Sequence, residues 1–158
     1  MLATDAAEVV SAAGGLIYDS VSTGWQVEVH LEHSGDTRAL TILGTRSHDL
    51  PKVADYESEW PDILFLAAAL LERRQHVRRL VTSLTRHQRT DVAVWGASAL
   101  PPQLGMSSNF DYRLSNAAVA FKRQAMAAAG LAVTGAGVET FRCGQHLTTA
   151  VPPFATTA

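Results

Sequence analysis

One stretch of ten residues contains five side chains that could bind a metal ion or transfer a proton. It reads VEVHLEHSGD, and these side chains are Glu28, His30, Glu32, His33 and Asp36. Because alternate residues of a strand share a face, Glu28, His30 and Glu32 would form one polar stripe, whereas His33 would point elsewhere. The H-x-x-H spacing therefore does not converge on a metal ion from a regular strand. We expect the stripe to face solvent and to hold no metal.

A second group of polar side chains follows the apolar segment 38–44. The loop GTRSHDL (44–50) contains Arg46, His48 and Asp49. If Asp49 orients His48, the imidazole could exchange a proton near neutral pH, and Arg46 could bind an anion. A purely structural polar loop is the alternative, since the adjacent His48 and Asp49 need not face each other.

The segment VWGASALPP (94–102) contains the fragment GASA, which includes Ser98. This fragment resembles the start of the G-x-S-x-G nucleophile elbow of serine hydrolases of the α/β-hydrolase class, which would make Ser98 a nucleophile. Leu100 stands where that pattern has its second glycine, and Pro101 and Pro102 follow where its helix begins. The resemblance covers only these few residues, so an ordinary turn after a strand is the alternative.

Two glycine pairs invite different interpretations. The segment TGAGVE (134–139) has only Gly135 and Gly137, without the third glycine and the strand–loop–helix context of a dinucleotide site. Gly14 and Gly15 lie inside a predicted helix, where each costs about 1 kcal/mol relative to alanine. A break in the helix would explain this pair structurally, and the close approach of a ligand or of a second subunit would explain it functionally.

Arginines cluster toward the end of a long predicted helix. They are Arg73, Arg74, Arg78, Arg79, Arg86 and Arg89. Acidic residues precede them in the same helix, and acid at the N-terminus with base at the C-terminus is the arrangement that the helix dipole favours. No aromatic side chains alternate with these arginines, so we expect a solvated helix face and do not expect nucleic acid as a partner.

The composition is that of an ordinary globular protein. The 158 residues are 47% hydrophobic and 18% charged, and the net charge of −2 gives no reason to expect a polyanionic partner. Cys143 is the single cysteine, which excludes an intramolecular disulfide. The longest strongly apolar run, 63–71, falls short of the roughly 20 residues that span a bilayer. We expect a cytoplasmic protein without membrane contact, with one α/β domain over 1–146 and a loose tail over 147–158.

Hydrophobic periodicity predicts three helices and four strands. The helices are expected over 4–24, over 60–88 and from about Asn109 to Gly130, and the strands over 25–32, 38–44, 91–96 and from 131 onward. The turn HSGD (33–36) would join the first two strands as an antiparallel hairpin, and helical crossovers would make the other strands parallel. The predicted fold is therefore α/β: a small Rossmann-like, mixed and mostly parallel sheet flanked by helices, in the order α-β-β-α-β-α-β.

Ligands of such sheets bind beyond the carboxyl ends of the parallel strands. Gly44 and Gly96 end two predicted strands, and the loops that follow them supply the predicted ligand-binding residues Arg46, His48, Ser98 and Asn109. The main functional hypothesis is a module that binds an anionic small molecule or nucleotide at this edge. Two alternatives stay open: a module for protein interaction or homo-oligomerisation, and a hydrolase-type enzyme that uses His48 with Asp49, or Ser98.

Overall fold

Strands and helices alternate along the part of the chain that the computed structural model describes, residues 1–50, 61–87, 90–96, 100–144 and 147. The strands within these residues are β1 (Leu2–Ala3), β2 (Glu28–Leu31), β3 (Arg46–Asp49), β4 (Ile63–Ala67), β5 (Asp91–Trp95), β6 (Ser108–Arg113) and β7 (Val138–Cys143). The helices are α1 (Ala6–Ser22), α2 (Arg38–Ile42), α3 (Ala68–Arg73), α4 (Gln75–His87) and α5 (Asn116–Ala128), and a 3-10 turn spans Pro102–Leu104.

The seven described strands form one sheet in the order β3-β2-β1-β4-β5-β7-β6. The strands from β3 to β5 are parallel to one another. The last two strands of the order differ, because β7 runs antiparallel to β5 and β6 runs antiparallel to β7. The predicted α/β class, with a mixed and mostly parallel sheet flanked by helices, is confirmed.

The direction of winding reverses at β1. The chain passes from β1 through α1 to β2 and through α2 to β3, whereas α3 and α4 lead from β4 to β5 on the other side of β1. Right-handed crossovers therefore place α1 and α2 on one face of the sheet and α3 and α4 on the other. Helix α5 packs against α1 and α2. The crevice at such a reversal, beyond the carboxyl ends of β1 and β4, is where open α/β sheets bind ligands.

The hydrophobic core lies between the sheet and these helices. Central strands are buried almost completely, as Leu64 to Ala67 of β4 and Val92 to Trp95 of β5 show. Continuous apolar sequence is typical of parallel strands that are covered on both faces. Among the described residues, no helix is both long enough and apolar enough to cross a membrane.

The first predicted hairpin does not form. Segment 38–44 contains the short helix α2 in place of a strand, β2 pairs in parallel with both of its neighbours, and the predicted loop 44–50 contains strand β3. Short apolar runs fit the period of a helix as well as that of a strand, and Ala39, Leu40 and Leu43 form the buried side of α2. Gly44, with a positive φ of 85°, ends that helical turn.

The single helix predicted over 60–88 is instead a strand and two helices, β4, α3 and α4. Arg78 and Arg86 are exposed, as expected for a solvated helix face, whereas Leu70, Val77 and Leu84 are buried. Leu66 is also buried, but it belongs to β4. Every residue of ILFLA is apolar, so the run lacks the alternation of a half-buried strand and fits the period of a helix as well.

The start of the last helix also differs from prediction, and strand β1 is absent from the predicted order. Segment 108–113 is strand β6, and α5 begins after Ser115, whose side chain accepts a hydrogen bond from Ala118 N. Gly130 follows α5 with a positive φ of 69°, as predicted for a residue just after a helix. In the tail predicted to be loose, Leu147 is buried, and residues 148–158 lie outside the described part.

Helix α1 continues through Gly14 and Gly15, so the predicted alternative of a helix break is wrong. The backbone N–H groups of Gly15 and Leu16 donate to the two carboxylate oxygens of Glu139, over 2.8 and 2.9 Å. Lys122 Nζ lies 2.6 Å from Glu139 Oε1. A Cβ atom at Gly15 would lie only 2.2 Å from Leu114 Cδ2. This chain's own side chains therefore make the close approach, and we call Gly15, Leu16, Lys122 and Glu139 the Glu139 cluster.

Candidate functional site

The start of α1 fixes a threonine at the carboxyl end of β1. Asp5 is the N-cap of α1, and its Oδ1 accepts a hydrogen bond from Glu8 N over 2.8 Å. The carboxylate of Glu8 in turn accepts from Thr4 N over 2.8 Å. This reciprocal capping satisfies backbone donors at the helix start and holds Thr4 in place.

The chain after β2 runs on beside Thr4. Glu32 N donates to Ala3 O over 3.0 Å, and His33 N donates to Thr4 O over 2.9 Å. These two bonds extend the parallel pairing of β1 and β2 beyond the strands themselves. Glu32 and His33 therefore lie at the carboxyl edge, next to the crevice between β1 and β4.

Two arginines at the end of α3 bind the carboxylate of Glu32. Arg73 Nη2 donates to Glu32 Oε2 over 3.0 Å and to Thr4 Oγ1 over 2.9 Å. Arg74 Nε donates to Glu32 Oε1. The side chain of Glu32 is only 5% exposed, whereas those of Arg73 and Arg74 are 51% and 46% exposed. We call Thr4, Glu32, His33, Arg73 and Arg74 the Glu32 cluster.

His33 is an exposed side chain of this cluster. Its Nε2 lies 3.8 Å from Glu32 Oε2, and its side chain is 67% exposed. The carboxylate is close enough to favour one orientation of the imidazole. Two guanidinium groups surround this single carboxylate, so the cluster has an excess of positive charge that favours an anion or a developing oxyanion.

A serine and an aspartate continue the polar edge next to this cluster. Ser34 Oγ donates a hydrogen bond to Asp49 Oδ1, which joins the loop after β2 to the end of β3. Asp49 therefore contacts Ser34 and not His48. Consecutive residues of a strand point to opposite faces, so the predicted pair of His48 with Asp49 does not form on β3.

The predicted ligand-binding residues are not brought together. Arg46 and His48 lie on β3 and Asn109 on β6, the two strands at opposite edges of the sheet. Six spacings of about 4.8 Å, or roughly 29 Å, separate these strands. Ser98 lies outside the described residues. The polar side chains that do lie close together come from the ends of β1, β2 and α3.

The polar stripe predicted on β2 is only partly exposed. Glu28 is exposed and lies 3.5 Å from Nε2 of the half-buried His30, whose ring centroid is 5.4 Å from that of His48. Burial lowers the pKa of His30 below its ordinary value. Glu32 departs from the prediction, because Arg73 and Arg74 hold it in a nearly buried position. No group of three His, Cys, Asp or Glu side chains within the described ranges is placed to hold a metal ion.

The sequence held a signal for part of the Glu32 cluster. An acid three residues after a capping residue, as in Asp5 and Glu8, marks a helix start and hence the end of a strand before it. The pairing of Glu32 with Arg73 and Arg74 left no such signal, since it depends on which strands are neighbours in the sheet. Both arginines had been assigned to a solvated helix face.

Solved structures with a similar fold are known. A triple mutant of a deacetylase involved in the teicoplanin biosynthetic pathway aligns with a TM-score of 0.58 at 16% identity, over 90% of this chain and 96% of its own. Dbv21, the deacetylase of the pseudoaglycone of the antimicrobial A40926, aligns with a TM-score of 0.60 at 15% identity, over 99% and 98%. No protein-family model and no curated protein sequence matches this chain. At these identities the similarity establishes the α/β fold.

Proposed function

We propose that the chain is a hydrolase-type enzyme that removes an acyl group from a small molecule bound at the Glu32 cluster. The observation that carries this proposal is the contact between the nearly buried Glu32, the exposed His33 and two half-exposed arginines at the carboxyl edge of the sheet. The fold shared with two deacetylases supports the class of reaction. Fold alone does not assign an activity, so the argument rests on this set of side chains.

His33, Glu32 and the two arginines each have a chemical role in such a reaction. Nδ1 of His33, the ring nitrogen that does not face Glu32, accepts a proton from water as the water oxygen attacks the acyl carbon. Glu32 stabilises the imidazolium, and the guanidinium groups of Arg73 and Arg74 stabilise the negative charge on the carbonyl oxygen. The bond to the leaving nitrogen or oxygen then breaks, and His33 returns the proton to that atom.

Release of acetate tests this proposal directly. Purified protein is incubated with N-acetyl amino sugars, N-acetyl amino acids and p-nitrophenyl acetate, and free acetate is measured. We expect His33→Ala to lower the rate by about a hundredfold or more, the usual contribution of a general base. The matched control is His48→Ala, at an exposed histidine on the neighbouring strand β3, which should keep the wild-type rate. If only His48→Ala lowers the rate, the catalytic histidine is His48 on β3. If none of the substrates releases acetate, the proposal is wrong.

Binding of an anionic ligand without turnover is the second candidate. It is favoured by the two half-exposed guanidinium groups that share one carboxylate, and it retains the predicted anionic small molecule or nucleotide. Phosphate, short carboxylates and nucleotides should raise the melting temperature of the protein, because they bind only the native state. Arg74→Gln should abolish this shift, and Arg79→Gln, at an exposed position on α4, should not. Ligand contacts by Arg46, His48, Ser98 and Asn109 stay a prediction that alanine variants test in the same assay.

A further inference from the structure

Strand β6 forms one edge of the sheet and lacks most features that keep an edge strand from pairing. Its six residues, Ser108–Arg113, pair with β7 in continuous register, without a bulge. Within the described ranges no strand lies beyond β6, and the opposite edge strand, β3, has only four residues. Natural edge strands avoid pairing by being short, by a bulge, or by lysine, proline and charge. The two charges of β6, at Asp111 and Arg113, are of opposite sign.

The outward backbone groups of β6 belong to Asn109, Asp111 and Arg113. In an antiparallel pair, alternate residues direct their N–H and C=O groups to the same neighbouring strand. Leu114 N donates to Gly137 O over 2.9 Å, and this bond continues the register of β6 with β7. The even-numbered residues of β6 therefore bond to β7. The backbone groups of the odd-numbered residues point away from it, where a strand of another chain would meet them.

The side chains of these odd-numbered residues share one exposed face. Phe110 and Tyr112, which alternate with them, are buried on the other face. Asp111 Oδ1 accepts a hydrogen bond from Thr140 Oγ1 over 2.7 Å, which fixes the position of the carboxylate. Asp111 and Arg113 therefore present one negative and one positive group, two residues apart, along an edge with outward backbone groups.

We propose that two copies of this chain associate by antiparallel pairing of their β6 strands. A twofold axis at Tyr112 places Asp111 of each copy opposite Arg113 of the other. Each of these two pairs exchanges two backbone hydrogen bonds, and its side chains lie on the same face with Cβ atoms about 5 Å apart. The charge order of the strand is complementary to itself when reversed, which favours a second copy of this chain over an unrelated strand.

Other registers that use the same backbone groups lack this match. An axis at Asp111 would place the two Asp111 carboxylates opposite each other, and an axis at Arg113 would do the same with two guanidinium groups. Like charges directly opposite destabilise a pair of strands. An axis at Phe110 would pair Asp111 with the neutral Asn109. The axis at Tyr112 therefore gives the two ion pairs.

Charge reversal of one residue at a time tests this pairing. Sedimentation equilibrium of the full chain gives the dissociation constant of the dimer. Asp111→Lys makes both charges of β6 positive and Arg113→Glu makes both negative, so each variant should raise that constant about tenfold or more. An equimolar mixture of the two variants should associate about as well as the wild type, because each positive strand then meets a negative one. The matched control is Arg46→Glu, at an exposed arginine of β3, which should dimerise like the wild type.

Three outcomes would overturn the inference. The first is a wild-type protein that stays monomeric at every soluble concentration. The second is a mixture of Asp111→Lys and Arg113→Glu that associates no better than either variant alone, since charge complementarity then has no part in the dimer. The third is a dimer that Arg46→Glu weakens and the two β6 variants do not, because the copies then meet at β3. None of these outcomes bears on the Glu32 cluster, which lies at the ends of β1, β2 and α3.

Hydrogen exchange of the wild-type protein covers the case in which a variant does not fold. The backbone amides of Asp111 and Arg113 should exchange more slowly as the protein concentration rises, because the dimer bonds them. The amide of Leu114, which is bonded to Gly137 O within each copy, is the internal control and should not depend on concentration. Exchange at Asp111 and Arg113 that is equally independent of concentration would contradict the proposal.

Discussion

Glu32 and Glu139 are both nearly buried carboxylates, yet their partners differ in exposure. Glu139 is 1% exposed and pairs with Lys122, which is 6% exposed. Glu32 is 5% exposed and pairs with Arg73 and Arg74, which are about half exposed at 51% and 46%. A carboxylate enclosed together with all its donors stabilises the fold, whereas one whose donors reach solvent can share them with a ligand.

Their places in the fold agree with this distinction. Glu139 joins β7 to α5 and to the middle of α1, and both β7 and α5 pack against α1. Glu32 joins the ends of β1, β2 and α3 at the carboxyl edge of the sheet. The same substitution, Glu to Gln, should therefore affect stability at one position and function at the other.

The largest expected effect is that of Glu139→Gln on stability. This change leaves the ammonium group of Lys122 buried without a counter-charge, and removal of one partner of a buried ion pair costs about 3–5 kcal/mol. The free energy of unfolding, measured by urea denaturation, should fall by that amount.

A second substitution separates the effect of losing the Glu139–Lys122 ion pair from that of losing the hydrogen bonds of Gly15 and Leu16 to Glu139. Adding Lys122→Met to Glu139→Gln removes the uncompensated charge, so the double variant should be more stable than Glu139→Gln alone. Equal stability of the two variants would show that the bonds from Gly15 and Leu16, and not the ion pair, make Glu139 important.

The next effect concerns Gly15, a member of the Glu139 cluster, and its neighbour Gly14. In Gly15→Ala the new methyl group would overlap Leu114, whose Cδ2 and Cδ1 lie 2.2 and 2.5 Å from the Cβ position. Such overpacking costs about 1–3 kcal/mol, partly offset by the better helix propensity of alanine.

Gly14→Ala is the matched control for that variant. Its Cβ would lie 3.3 Å from Cγ of Lys122, a flexible side chain that can shift. Thermal unfolding should show a lower melting temperature for Gly15→Ala than for Gly14→Ala. If both variants unfold together, Leu114 does not determine the need for glycine.

These glycines also show what the sequence could not predict about the fold. Periodicity located α1, β5 and the apolar face of α4 correctly, because each has a long or strongly apolar pattern. The short apolar runs in 38–44 and 63–67 fit the period of a helix and that of a strand. The first is predicted as a strand and is a helix, and the second is predicted as part of a helix and is a strand. The need for glycine at position 15 comes from Leu114 and Glu139, which are about a hundred residues away in sequence. Periodicity carries no information about contacts at that distance.

The candidate site depended even more on long-range order. The sequence predicted binding at the carboxyl ends of parallel strands, and the Glu32 cluster lies at such an edge. The sequence predicts 38–44 as a strand and 44–50 as the loop after it, whereas the structure has a short helix in the first segment and strand β3 in the second. The pair of Glu32 and Arg73 can be predicted only when the strands next to β1 in the sheet are known.

Glu32→Gln should have a smaller effect on stability than Glu139→Gln. Water can solvate the half-exposed Arg73 and Arg74 once the carboxylate charge is gone, so we expect a loss of about 1 kcal/mol or less. The same variant should change acetate release or anion binding, because it frees both guanidinium groups. A stability loss as large as that of Glu139→Gln, without any functional change, would make Glu32 a second structural carboxylate.

The smallest expected effect is a pH dependence of stability. It arises at His30 on β2, the strand that precedes Glu32. Burial lowers the pKa of His30 from its ordinary value of 6.5, with a further lowering by the α-amino group of Met1 and by His48, against opposing effects of Asp49 O and Glu28. The folded protein therefore binds a proton at His30 less readily than the unfolded chain does. The stability that comes from neutral His30 is complete above pH 6.5 and is lost as the pH falls from there through the folded-state pKa.

Urea denaturation of the wild-type protein and of His30→Gln across this pH range measures that contribution. The difference in free energy of unfolding between the two proteins should shrink as the solution becomes more acidic, since glutamine does not titrate. His48→Gln, at the exposed neighbour on β3, should follow the wild-type curve more closely. If the curves of wild type and His30→Gln stay parallel, His30 is as accessible to protons in the fold as in the unfolded chain, and the β2–β3 face is an ordinary solvated surface.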